Sequence, residues 1–309
     1  MTDREKYIRL CAEHSLPLHA QAWWLDCVTL GKEWDVVLIE EEGVVMAAMP
    51  YYTVSRYGIH AILMPIHSQY NGLYIDSKAP QDIFTRLVEK IEDLCHKRHI
   101  AWLQIQGFFS APFVEVLRTH RYSVKEKVTY KINSFPEHEE ISVLFSENKR
   151  RQLRKAQDLE LKDIAPAEFY HFHTNCITKQ GKLIDYSKQW ADSVLPVAIE
   201  KGQGRLLCVQ NAKGVVLAAM FLAWDDRQAY YLLPTYDLDY KNTGAMARLT
   251  SEALKIAKEK CLAFDFEGSM TPSIASSYQQ FGGKAETYFN IEKFFNPIVR
   301  ILIRARKCL

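Results

Sequence analysis

Apolar and polar positions follow one another in nearly the same way at two places in the chain. DVVLIEEEGVVMAAM, residues 35–49, and RLLCVQNAKGVVLAAM, residues 205–220, each set an apolar run, a polar turn and a second apolar run in succession. The seven letters from Gly43 and the seven from Gly214 differ only at Met46, where the second copy has Leu217. Each stretch reads as a β-hairpin with Gly at the turn. Farther on, Phe84, Leu87, Val88, Ile91, Leu94 and Cys95 recur at helical spacing within 81–98, and the strand-like IAWLQIQG follows at 100–107. In the second half Met246, Leu249, Ala253, Ile256 and Ala257 keep the same spacing, and LAFDFEG follows at 262–268. Both strands end in Gly, at Gly107 and Gly268, and both lead into a short helical pattern and a last strand. The order hairpin, strand, helix, strand, helix, strand is therefore written twice, an internal duplication with a period near half the chain. The expected class is α/β with two similar domains, 1–140 and 141–309, joined through the polar, Pro-broken SFPEHEEISVLFS at 134–146.

Composition narrows the function without naming it. A chain of 309 residues, 48% hydrophobic and 25% charged, has the material for two medium-sized globular domains. Its net charge of +2 argues against holding nucleic acid by bulk electrostatics, although local patches remain. No apolar run is long enough to span a bilayer and the first residues are charged, so a cytoplasmic location is expected. The seven cysteines are scattered and never form C-x-x-C, which reads as reduced thiols. His171 and His173 lie two apart with no acidic or Cys partner at ligand spacing, so no metal is expected. There is no nucleophile elbow, phosphate-binding P-loop or dinucleotide fingerprint, and hydride transfer and nucleotide hydrolysis drop out.

The repeated element order resembles the core of the GNAT acetyltransferase fold, and the whole chain is similar to the tandem GNAT pair of the Fem-type peptidyltransferases and their relatives. Two stretches carry the closer likeness: SENKRRQLRKAQ at 146–157, similar to the basic helix that opens the second domain, and FDFEGSMTPSIASSYQQFGG at 264–283. The resemblance implies two tandem GNAT-like domains of α/β (α+β) class, each a mixed β-sheet flanked by helices. It implies an acyltransferase whose donor is acyl-CoA, such as acetyl-CoA, or an aminoacyl-tRNA, and whose acceptor is an amine on a small molecule or a lipid- or nucleotide-linked cell-envelope precursor. A different class, a GNAT-like module that binds a ligand or partner without turnover, stays open beside it.

The same likeness directs attention to particular residues. In this fold two parallel strands part to admit the acyl group, and the helix after the first offers its N-terminal N–H groups to phosphate. That junction here is LLPTYDLDYKNTGAMARL, with Lys241, Asn242, Thr243, Gly244 and Ala245 as the donor loop. Lys241 and Gly244 fit the family's loop, Met246 stands where a small residue is expected, and Asn242 and Thr243 also suit a plain helix cap. Lys149, Arg150, Arg151 and Arg154 could meet the phosphates of coenzyme A, tRNA or a nucleotide- or lipid-linked acceptor, or form a solvated charged face. Tyr236, Asp265 and Glu267 lie at the strand ends where a proton must be taken from the amine. Asp265 and Glu267 are expected on one strand face, with Glu267 the first candidate for the base. The first copy has Gln104 and Gln106 there, so its domain is assigned acceptor contacts through His67, Tyr70 and Asn71. The C-terminal NPIVRILIRARKCL reads as an amphipathic helix capped by Asn296 and Pro297. Its stripe of Ile298, Ile301, Leu302, Ala305 and Leu309 either covers its own domain or lies on an anionic membrane at the inner face, beside Arg300, Arg304 and Lys307.

Overall fold

The computed structural model describes residues 1–307 except Glu33 and Ser269, and leaves the side chains of Arg306 and Lys307 undescribed. The chain runs α1 (Asp3–Glu13), α2 (Ala22–Val28), β1 (Trp34–Glu41), β2 (Val44–Arg56), β3 (Ile59–Leu63), β4 (Tyr74–Ile75), α3 (Ile83–Lys97), β5 (Ile100–Gly107), α4 (Ala111–Thr119) and β6 (Ser123–Ile132). It continues with α5 (Glu147–Lys155), β7 (Glu160–Asp163), α6 (Pro166–Lys179), α7 (Lys188–Glu200), β8 (Gly204–Gln210), β9 (Val216–Trp224) and β10 (Gln228–Tyr236). Last come α8 (Ala245–Glu259), β11 (Ala263–Asp265), α9 (Pro272–Gln280), β12 (Lys284–Phe294) and α10 (Pro297–Lys307). The repeated hairpins are β1–β2 and β8–β9. Gly43 (φ +82°) and Gly214 (φ +76°) turn them, and both carry a register slip just before the turn, at Ile39/Glu40 and at Val209/Gln210. The duplication visible in the letters is thus repeated in backbone detail.

The chain divides into two compact units, 1–127 with 287–309, and 128–286. The first holds a mixed sheet in the order β1-β2-β3-β5-β12, with β4 also paired to β2; the second holds β6-β11-β10-β9-β8-β7. The parallel pairs are β3 with β5 and β10 with β11, the equivalent strands of the two copies. Each copy gives its last strand away: Ile132 and Lys131 of β6 pair with Phe264 and Asp265, while Phe289–Phe294 of β12 pair with Gly107–Trp102. The break expected at 140/141 therefore coincides with neither edge of these units. Strand pattern states that β6 and β12 exist, and says nothing about which sheet closes on them.

The helical spacing holds where packing demands it. Leu87, Val88, Ile91 and Cys95 of α3 are buried against the first sheet, with Phe84 and Leu94 at its margin. In α8, Leu249, Ala253, Ile256 and Ala257 are buried under the second sheet, joined there by Phe264 and Phe266. Each fully buried aromatic is worth about 2–3 kcal/mol of transfer free energy. Met246 is the exception on α8. It is only partly buried, for a reason that lies in the cleft described below.

Candidate acyl-donor cleft

In the second unit β10 and β11 pair from Gln228↔Ala263 to Tyr230↔Asp265 and then part, because β11 stops at Asp265 while β10 runs on to Tyr236. Just past that point the register of β10 against β9 slips by one residue between Leu232 and Thr235, and Leu233 takes a left-handed φ of +48°. Pro234 sits in the bulge, where its missing N–H costs no ladder bond. A cavity of about 410 Å³ opens beside this bulge. Tyr231, Pro234, Thr235 and Tyr236 of β10 form one wall, and Ala245, Met246 and Thr250 of α8 form another. Ser273, Ile274, Ser277 and Tyr278 of α9 with Phe281 form a third, and this opening is what leaves Met246 half-exposed.

The lining is polar at points and positive. Tyr231 is hydrogen-bonded to Thr250 at 2.8 Å, and Tyr278 stacks on Phe266 with ring centroids 4.7 Å apart. Burial, followed by the charges of Glu267 and Asp265, pushes Tyr278 up to about 12. Lys149, Lys182 and Lys241 are the cations of the lining, and no Asp or Glu is among the described lining residues. Lys149 is buried. Its Nζ donates to Ser277 Oγ at 2.8 Å, lies 4.4 Å from the centroid of the Phe281 ring, and is held below the ordinary lysine range by desolvation. Thr235 is 2% exposed, and its Oγ1 has no hydrogen-bond partner among the described residues.

The expected donor loop is divided by this geometry. Lys241 and Ala245 line the cavity; Asn242, Thr243 and Gly244 do not. Thr243 acts as a local cap, its Oγ1 donating to Tyr240 O at 2.7 Å and accepting from Ala245 N at 3.3 Å. Gly244 has φ +83°, and a Cβ built there would lie 2.1 Å from Gln152 O, so glycine is needed for α5 to pack against the start of α8. Tyr236 lines the cavity, and its carbonyl accepts from Gln180 Nε2 at 3.2 Å.

Asp265 and Glu267 lie elsewhere. Neither lines the cavity, and they do not share a strand face: β11 ends at Asp265, and Glu267 follows it at φ +62°. Asp265 is fully buried. It accepts from Thr129 Oγ1 at 2.6 Å, from Glu267 N at 2.8 Å and from Gln228 Nε2 at 3.3 Å, and lies 3.6 Å from Lys131 Nζ. Burial, reinforced by Asp265, raises Glu267 well above its ordinary value, against a smaller opposing effect of Lys131. An acid that holds its proton is poorly suited to accept one. The raised value also fixes a pH trend. The native state keeps the Glu267 proton where the unfolded chain has lost it, so stability falls as pH climbs from the unfolded value toward the folded one. Glu267→Gln is expected to remove this loss, about 1.4 kcal/mol for each pH unit climbed within that window. Thermal melts of the two proteins between pH 5 and 8 should diverge in favour of the variant, and parallel curves would contradict the assignment.

The basic helix is also divided. On α5, Arg150 and Arg154 pair with Glu147 at 3.2 and 2.7 Å, and Arg151 donates to Asn148 at 3.2 Å, all on the outside. Lys149 alone of the four turns into the cavity. In the first unit Tyr70 is buried, its ring 4.7 Å from Phe108 and 5.1 Å from Tyr288. Asn71 donates from Nδ2 to Pro50 O at 2.6 Å and from its main chain to Gln106 O at 2.6 Å, while its Oδ1 is buried with no hydrogen-bond partner among the described residues. His67 has φ +54°, and its charge adds to the burial that pulls His19 down to about 3. Gln104 bonds to Asn290 at 3.0 Å and Gln106 to Lys127 at 3.0 Å. Among the polar residues of the lining that the sequence pattern does not single out are Thr235 and Ser277. The signal for Thr235 is Pro234 inside an otherwise regular strand pattern, which marks a bulge.

Two strands that part beside a bulge, with a helix starting at the opening, define a GNAT-type cleft, and the duplicated core makes the fold a tandem GNAT pair. Residues 145–278 match the model of the Acetyltransferase (GNAT) domain family, a family of acyl transfer. The fold is similar to that of FemX, at TM-score 0.75 and 12% identity over 97% of this chain and 98% of that one. It is also similar to the C-terminal domain (DUF2156) of a putative lysylphosphatidylglycerol synthetase from Agrobacterium fabrum, at 0.61 and 13% over 98% and 96%. A tandem GNAT protein from the clavulanic acid biosynthesis pathway aligns at 0.55 and 11% over 94% and 93%. No curated protein matches the sequence. Among the described residues no group of three or more His, Cys, Asp or Glu could hold a metal ion, and no helix is long and apolar enough to cross a membrane.

Proposed function

We propose that the second unit transfers an acyl or aminoacyl group from a thioester, as in acyl-CoA, or from the ester of an aminoacyl-tRNA, to an amine. The observation that carries this reading is the opening of β10 from β11 at Tyr230, beside the bulge and the cavity. Beyond Tyr230, β10 presents main-chain groups on that side to an extended ligand arm, which can pair with them as an added strand would. The amine nitrogen attacks the acyl carbon, a C–N bond forms, and the C–S or C–O bond to the carrier breaks. Tyr236 gives its proton to the departing sulfur or oxygen and regains one from solvent, and the amine's surplus proton leaves to solvent through the open mouth of the cleft. In the first unit, beside His67 and Tyr70, Asn71 Oδ1 has no hydrogen-bond partner among the described residues and is an acceptor that a ligand N–H or O–H would satisfy. A second reading, ligand binding without turnover, is favoured by one observation: neither Asp265 nor Glu267 lines the cavity. Incubation with acetyl-CoA, longer acyl-CoAs or charged tRNA and a panel of amines, followed by mass spectrometry, separates the two. A new amide supports transfer; donor-dependent thermal stabilisation without amide supports the binding module; neither result sinks both.

The acceptor of this reading is lipid-linked, and α10 brings the protein to it. Asn296 caps the helix as expected, its Oδ1 accepting from the Ile298 and Val299 amides at 2.9 and 3.3 Å. The stripe does not cover the domain: Ile298, Ile301 and Leu302 are 67%, 68% and 55% exposed and Ala305 is exposed, while Val299 is the buried side. Leu309 lies outside the described residues. Arg300 and Arg304 are exposed and the helix contains no acid, which suits an anionic bilayer at about 1 kcal/mol per basic residue near the surface. Replacing Ile298, Ile301 and Leu302 by Ser is expected to leave the melting temperature within a few degrees and abolish co-sedimentation with phosphatidylglycerol vesicles. Unchanged sedimentation would remove the membrane from the account.

A further inference from the structure

We infer that Lys149, with Thr235 and Ser277, grips a phosphate group of the donor's carrier inside the cleft, in place of the backbone loop that opens α8. The inference rests on the acyl-donor reading of the same cleft. Three observations converge on it. First, the Lys149 ammonium is buried with only a neutral hydroxyl and a ring face beside it, and no carboxylate lies within ion-pair distance among the described residues. Burial of a cation on such terms costs several kcal/mol unless an anion completes the site. Second, Thr235 Oγ1, on the β10 wall of the same cavity, is buried with no partner among the described residues, and a hydroxyl there can donate to an anionic oxygen. Third, the loop is partly used up. The Ala245 N–H is taken by Thr243 Oγ1, and the Gly244 Cα is covered by the main chain of Gln152. The helix that covers it is α5, which also delivers Lys149. Lys182 and Lys241, both exposed, and the lack of acids among the described lining residues extend the positive field toward solvent.

Phosphate oxygens occur on both donor classes, on coenzyme A and at the 3′ end of tRNA, so the test carries both. Binding is measured by calorimetry for acetyl-CoA against S-acetyl-pantetheine, which lacks phosphate, and for an aminoacylated acceptor-stem minihelix against 3′-aminoacyl-adenosine. Lys149→Met, close in shape and uncharged, is expected to weaken one phosphate-bearing ligand by about tenfold to a hundredfold, the value of a charge-assisted contact, and to leave its phosphate-free analogue unchanged. The ligand affected names the carrier. Thr235→Val, which keeps the shape and removes only a hydroxyl with no partner among the described residues, should weaken the same ligand by a smaller factor and hold the fold should Lys149→Met fail to. Equal losses for ligand and analogue, or no loss in either variant, overturns the inference while a wild-type amide product still stands. Absence of binding by the wild-type protein to all four ligands overturns both readings.

Discussion

Gly244→Ala is expected to lower the melting temperature of the protein by about 10 °C, a shift that a loss of about 3 kcal/mol gives in a unit of this size. The residue holds φ +83°, a conformation that costs an L-residue about 1–2 kcal/mol. The added Cβ would also lie 2.1 Å from Gln152 O, 3.1 Å from Gln152 C and 3.2 Å from the Ala156 Cβ, and the first two are main-chain atoms that move only if α5 moves. Overpacking of that kind adds about 1–3 kcal/mol. The effect extends past stability. Because α5 carries both Gln152 and Lys149, a methyl group that pushes the helix off α8 draws the Lys149 amine out of the cleft, so donor binding should weaken in any fraction that remains folded. A melting temperature within 1 °C of wild type would show that α5 does not pack at Gly244 in this way.

Much of this architecture was legible in the letters, and the reasons are physical. The duplication, the hairpins turning at Gly43 and Gly214 and the two core helices follow from periodicity and from glycine's tolerance of positive φ, both local properties. The strand exchange was not legible. β6 and β12 satisfy the same pattern whichever copy's sheet they join, and the choice is made by non-local pairing. The site shows the same division. The loop before α8 was found because its residue types are limited by a helix N-terminus, yet Thr243 and Gly244 meet those limits through a cap and a packing contact inside the protein. The alternation argument for Asp265 and Glu267 assumed a strand through residue 267, whereas β11 ends two residues earlier. Lys149 was legible only as one of several basic residues. Its direction depends on how α5 seats on α8, which one helix's pattern cannot state. In α10 the pattern puts Ile298, Ile301, Leu302 and Ala305 on one stripe, yet it is Val299 that is buried, since amphipathicity gives a helix two faces and leaves open which of them meets protein.

Asp265→Ala is expected to destabilise the second unit by about 3–5 kcal/mol, the usual cost of removing one member of a buried charged pair. The carboxyl group is fully buried and collects bonds from three donors: the Thr129 hydroxyl at 2.6 Å, the Glu267 amide at 2.8 Å and the Gln228 side-chain amide at 3.3 Å. It also lies 3.6 Å from Lys131, whose other acidic neighbour, Glu286 at 3.4 Å, is partly solvated. Two of these groups, Thr129 and Lys131, sit on β6, the strand the first copy gives to this sheet, so Asp265 ties the donated strand to β11 beyond their short ladder. Asp265→Asn separates this structural role from a chemical one. The amide oxygen, placed at Oδ1, still accepts from both Thr129 and the Glu267 N–H, while the Gln228 bond and the approach to Lys131 at Oδ2 are lost, so the cost should be about half that of the alanine variant. Folded Asp265→Asn protein, assayed with whichever donor and amine yield product, should keep turnover within a few-fold of wild type, because the side chain faces β6 and does not line the cleft. A fall of two orders of magnitude or more with donor affinity unchanged is what loss of an acid–base group produces. That outcome would return Asp265 to the reaction and require the acceptor amine to approach from the β6 side of the sheet.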